Sequence, residues 1–95
     1  MDGTLIAYRL PAGSTNAAYG RLVKRLYGQE TSAGGYRYRR RGLLDDLPHR
    51  RVIRGVIVLR EGDATAVVRL LRELKAEAYV WRISLTREDR KALGL

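Results

Sequence analysis

Three arginines on one face of an extended segment cannot be buried, and this chain carries such a segment near its middle. Residues Tyr36-Arg37-Tyr38-Arg39-Arg40-Arg41-Gly42 run with the period of a strand. Successive side chains in a strand point to opposite faces, so Tyr36, Tyr38 and Arg40 share one face and Arg37, Arg39 and Arg41 the other. Taking unpaired guanidinium groups out of water is prohibitively costly. The strand, read over Tyr36 to Leu44, therefore belongs at a sheet edge or in a protruding hairpin arm.

The flanking segments limit what that strand can join. Thr4 to Leu10 is a short apolar strand closed by Pro11-Ala12-Gly13. Ser14, Thr15 and Asn16 then offer helix caps, and Tyr19, Leu22, Val23, Leu26 and Tyr27 fall on one helical face that ends at Gly28. Residues 29 to 35 read as a small-residue loop. After the tyrosine and arginine strand, Leu43 to Arg50 holds Asp45, Asp46 and Pro48 and reads as a connection. Arg51 to Arg60 is β-branched on both faces around Gly55, as a central strand would be.

Asp63 is placed to cap a second helix, whose inward stripe is Ala64, Val67, Val68, Leu71 and Leu74. Glu77 to Leu85 alternates again, with Tyr79, Trp81, Ile83 and Leu85 on one face, which core packing would use. Thr86-Arg87-Glu88-Asp89 has the spacing of a capping box, with aspartate in the usual glutamate position, and predicts a short helix from Arg87 to Leu93.

The resulting order is strand, helix, strand, strand, helix, strand, which predicts a single α+β domain over residues 1 to 95. Its expected architecture is ferredoxin-like βαββαβ: a four-stranded antiparallel sheet, two helices on one face and a short C-terminal helix. In the usual strand order, 4-1-3-2, the apolar first and third strands are central and the arginine-rich second strand is at an edge.

Charge narrows the partner. Nineteen basic against 10 acidic residues give a formal charge of +9, which favours an anionic polymer. Only Lys24, Lys75 and Lys91 are lysine; the rest are arginines, suited to bidentate phosphate contacts and to stacking on bases. With no cysteine, one methionine, one asparagine (Asn16) and one glutamine (Gln29), the composition leans thermophilic and excludes a disulfide framework or a cysteine-rich zinc site. No apolar run has the length of a membrane span and residues 1 to 15 lack a signal-peptide layout, so a cytoplasmic protein without a membrane partner is expected.

The expected RNA-binding residues are Tyr36, Arg37, Tyr38, Arg39, Arg40, Arg41, Arg50, Arg51 and Arg54, gathered on the hairpin between the second and third strands. Phosphates attract the arginines, and unpaired bases stack on tyrosine. Tyr36 and Tyr38 have two readings, stacking on bases or capping the core with the hydroxyl at its rim. If about six of these side chains neutralise phosphates, log K falls against log salt with a slope of roughly −4 to −5. No catalytic set, metal spacing or cofactor loop stands out; His49, the only histidine, reads as a turn residue beside Pro48.

Arg54-Gly55-Val56-Ile57-Val58 resembles part of the longer ribonucleoprotein motif of RRM domains, although Val56, Val58 and Arg60 stand where that family has stacking rings. Size and strand order are similar to the CRISPR adaptation nucleases, whose first strand ends in a metal-binding aspartate; here the place holds Tyr8-Arg9-Leu10. Acylphosphatases carry a loop arginine and a strand asparagine that neither Arg9 nor Asn16 matches. Across its length the chain most resembles the small basic archaeal proteins that decorate ribosomes. That resemblance implies a non-catalytic, ribosome-associated binder of ribosomal RNA lying beside other ribosomal proteins. The alternatives are a nuclease or nucleic-acid-processing subunit completed by a partner or by a homodimer, using Asp45 or Asp46, and a dimeric ligand-sensing or protein-interaction module.

Overall fold

Gly55 divides the apolar run around it. In a computed structural model, which describes residues 1–95, Arg54 and Gly55 form a tight turn with Gly55 at φ +87°. The elements are β1 (Asp2–Arg9), α1 (Asn16–Tyr27), β2 (Gln29–Ala33), β3 (Tyr36–Arg40), β4 (His49–Ile53), β5 (Val56–Arg60), α2 (Ala64–Glu73), β6 (Glu77–Ser84) and α3 (Arg87–Ala92). The result is a mixed α+β fold built on a four-stranded antiparallel sheet, in the order β4-β5-β1-β6. β2 and β3 pair with each other as a separate two-stranded sheet.

The core lies between one face of the main sheet and two helices. Ile6 of β1 stands opposite Ile57 of β5 in register, Leu59 follows two residues on, and all three are fully buried. Leu22 and Leu26 of α1 and Ala64, Val67, Leu70 and Leu71 of α2 close over them. Leu44, from a 3-10 turn over Leu43–Asp46, joins the same cluster. Each of the larger aliphatic side chains contributes roughly 1.5–3 kcal/mol by leaving water. On the opposite face α3 covers only one end of the sheet, where Leu93 packs with Val58 and Leu85 and with the half-buried Leu5 and Ile83.

The helix ends follow their local chemistry. The Thr15 hydroxyl accepts from the Ala18 amide at 3.1 Å, and Gly28, at φ +84°, donates its amide to the Lys24 carbonyl at 2.9 Å, so orphan groups at both ends of α1 are satisfied. The capping box of α3 forms in both directions: Asp89 donates its amide to Thr86 Oγ1 at 3.1 Å, and Asp89 Oδ2 accepts from the Thr86 amide at 2.9 Å. Asp63 does not cap α2; its carboxylate accepts from Arg60 Nε at 3.0 Å instead.

Several expectations need correction. The chain has six strands and a second sheet, so the simple four-strand ferredoxin-like order is not what it displays. The segment expected as a loop over 29–35 forms β2, because Gly34 and Gly35, at φ +59° and +82°, supply the two-residue turn of a hairpin. β3 ends at Arg40 and is not an edge of the main sheet. The edge beside β5 is β4, which takes Arg51 to Ile53 from the run expected to be one central strand and His49 and Arg50 from the expected connection. In α2 Leu70, outside the expected stripe, joins Ala64, Val67 and Leu71 in the core, while Val68 and Leu74 lie at the partly buried margin. Tyr79 and Trp81, expected in the core, are 50% and 52% exposed because the face they share carries no helix over that part of the sheet.

Candidate nucleic-acid interface

The β2–β3 hairpin is an arm with no core behind it. Every residue of β3 is exposed, Tyr36 to 69% and Tyr38 to 57%, so neither tyrosine caps the core. Cross-strand register sets Tyr36 against Ala33, Tyr38 against Thr31 and Arg40 against Gln29 on one face. Arg37 against Ser32 and Arg39 against Glu30 form the other. The two tyrosine rings lie 6.4 Å apart and tilted by 41°. An isolated two-stranded ribbon is marginally stable in water, so its root carries the structural burden.

That root is built from two glycines and an arginine. A Cβ on Gly28 would sit 2.5 Å from the Arg40 carbonyl and 3.0 Å from the Gly42 amide, and one on Gly42 would strike the backbone of Leu26 and Gly28. The chain thus leaves α1 and returns at nearly the same point. Arg39 donates to Asp45 Oδ1 at 2.6 Å and to the Tyr27 carbonyl at 3.1 Å, while Asp45 Oδ2 accepts from the Gly42 amide at 2.8 Å. That amide first, and Arg39 second, hold the Asp45 carboxyl below the ordinary aspartate range. Arg41 pairs with Asp46.

The seven arginines among the nine expected binding residues therefore divide into two groups. Arg39, Arg41 and Arg50 are committed to carboxylates of the chain itself. Arg50 joins β4 to α3, donating to Asp89 Oδ1 at 2.6 Å and to Glu88 at 3.1 Å. The Asp89 side chain is only 5% exposed. Burial alone would raise its pKa, but the Thr86 amide and Arg50 hold it below the ordinary range. Arg37, Arg40, Arg51 and Arg54 make no such pairs and are electrostatically available.

Arg51 and Arg54 do not lie on the arm. They border a cleft of about 370 Å3 between α1 and the β4–β5 turn, with Tyr8, Tyr19, Leu22 and Tyr27 among its lining. The Arg51 guanidinium lies 4.5 Å from the Tyr27 ring centroid, a cation–π arrangement. The Tyr8 and Tyr27 hydroxyls are 3.0 Å apart. Burial, and then that hydrogen bond, raise the Tyr8 pKa well above the ordinary phenol value, which keeps its hydroxyl protonated. The tyrosines of this cleft escaped the sequence reading, since Tyr8 sits in an apolar strand and Tyr27 on a helix face committed to packing.

Asp45 and Asp46 are held by arginines, and His49 directs Nδ1 to the Leu47 carbonyl at 2.8 Å. No three histidine, aspartate or glutamate side chains converge in a way that could hold a metal ion. No helix is long and apolar enough to cross a membrane. Comparison with models of protein families, with curated proteins and with solved structures finds no match in any of the three.

Proposed function

We propose that this chain is a non-catalytic RNA-binding protein of the ribosomal or ribosome-associated kind, contacting RNA phosphates through the β2–β3 arm and the adjoining basic surface. The single observation that carries the reading is the arm itself: a solvent-exposed ribbon whose Arg37 and Arg40 have no carboxylate partner and whose Tyr36 and Tyr38 are free to meet bases. An internal role would require these side chains to touch the rest of the fold. The test is titration with structured RNA at several salt concentrations, together with sedimentation of the native protein through gradients of low and high salt. Salt-sensitive binding and co-migration with one ribosomal subunit support the reading. Binding indifferent to salt overturns it, and free migration overturns the ribosomal assignment.

We further propose that the main sheet is a ferredoxin-like unit into which β2 and β3 are inserted. With the arm set aside, the order β1, α1, β4, β5, α2, β6 and the antiparallel arrangement β4-β5-β1-β6 correspond to that topology. The contact between Gly28 and Gly42 supports an insertion. Excision of residues 29–41, joining Gly28 to Gly42, is expected to leave a cooperatively melting protein; a molten product would refute the insertion.

The cleft at Arg51 and Arg54 favours a second reading, a ligand-sensing module. Saturable binding of a small organic anion, lost in Arg51→Ala, would support it over the first if RNA affinity proved absent.

A further inference from the structure

Tyr79 and Trp81 lie two residues apart on β6, so their rings stand on one face of the main sheet. Register identifies the face: Trp81 is opposite Leu5 and Tyr79 opposite Ala7, the residues of β1 that flank the core residue Ile6. It is the face turned away from α1 and α2. α3 protects it at one end only, over Val58 and Leu85. Beyond that cover, both rings are about half exposed, their centroids 6.3 Å apart and their planes within 23° of parallel.

The surroundings suit an anion with planar groups. The small side chain of Ala7 leaves a shallow trough beside the rings, which Arg9 also lines. Glu77, the carboxylate in the adjoining row, is bound by Arg9 at 2.5 Å. A second copy on this face would bring together two chains of formal charge +9, whereas a polyanion is complementary to that charge.

We infer that this face is a stacking platform for unpaired bases of a single-stranded RNA segment, with Tyr79 and Trp81 carrying the bases and Arg9, on release from Glu77, a flanking phosphate. Base stacking on aromatic side chains is sequence-tolerant because every base has a π-face. The inference rests on the RNA-binding reading, yet it uses a surface distinct from the arm. The two contribute differently: the platform by stacking, the arm by charge.

Trp81 is the only tryptophan, so its fluorescence reports this site alone. The experiment titrates the full chain, Trp81→Ala, Tyr79→Ala and Arg37→Ala/Arg40→Ala with a mixed-sequence single-stranded oligoribonucleotide, following fluorescence and anisotropy of the labelled RNA. Quenching of Trp81 is expected on binding. Trp81→Ala and Tyr79→Ala should each lose roughly 5- to 150-fold in affinity and keep the wild-type salt slope, since no phosphate contact is removed. Arg37→Ala/Arg40→Ala should flatten the slope and still show quenching at saturation. RNA binding with unchanged fluorescence and wild-type affinity in both aromatic variants would overturn the platform while leaving the arm intact. A dimer that Trp81→Ala dissociates, with RNA affinity unaffected, would also overturn it. No RNA binding by any protein would sink the RNA reading itself.

Discussion

The number of free arginines, two on the arm and two at the cleft, fixes the expected salt dependence. Arg37, Arg40, Arg51 and Arg54 have no internal carboxylate, whereas Arg39 and Arg41 must first release Asp45 and Asp46. Each phosphate neutralised on a single strand contributes about 0.7 to the slope of log K against log salt. Four contacts give a slope of about −2.8, and six about −4.2. Between 50 and 200 mM salt, a slope of −2.8 corresponds to roughly a 50-fold loss of affinity, and −4.2 to roughly 340-fold. Arg37→Ala/Arg40→Ala leaves two free arginines, a slope of about −1.4 and roughly a 7-fold loss over the same interval. Fluorescence anisotropy with a labelled single-stranded RNA measures all three, with circular dichroism confirming the fold. A double variant that retains the wild-type slope would refute the arm as the phosphate-contacting element. A wild-type slope near −4.2 would mean that the ion pairs at the root open on binding.

Other outcomes follow from the root, the core and the caps. Leu26→Ala, at a fully buried position of α1, is expected to lose about 2–5 kcal/mol in denaturant unfolding. Gly28→Ala and Gly13→Ala both place a side chain at positive φ, but only at Gly28 does backbone crowd the new Cβ. The first should cost clearly more than the ~1–2 kcal/mol of the left-handed conformation, the second no more than that; equal costs would mean that the Gly28–Gly42 approach is loose. Asp45 and Asp89 both have depressed folded-state pKa values. Their contribution is therefore fully present above the unfolded aspartate pKa of about 3.9 and is lost as pH falls through the folded values. Melting temperature should be insensitive to these groups near neutrality and fall in acid; Asp89→Asn should be less stable at neutral pH and show a shallower acid decline.

Sequence periodicity located α1, α2, β1, β6 and the capping box of α3, since each rests on signals within about a dozen residues. The exposure of Arg37, Arg39 and Arg41 was legible for the same reason: no arrangement of the chain makes three adjacent guanidinium groups cheap to bury. The tyrosines beside them were not decidable from spacing, because a strand's two faces are defined only relative to what packs on them. β2 was hidden because QETSA has no apolar face, and the hairpin turn at Gly34-Gly35 reads equally as a loop boundary.

Local chemistry alone thus determined that this is a basic α+β chain with an arginine-bearing strand that must face water. Only the tertiary structure decided where that strand goes, which arginines keep a free charge and which aromatics stay uncovered. Those outcomes depend on groups far apart in the chain: Arg50 meets Asp89 across 39 positions. Trp81 is exposed because α1 and α2 both pack on the other face of its sheet, while α3 reaches only one end of this one. Pairing and cover of that kind are properties of three-dimensional proximity, which the alternation of residue types along a strand does not encode.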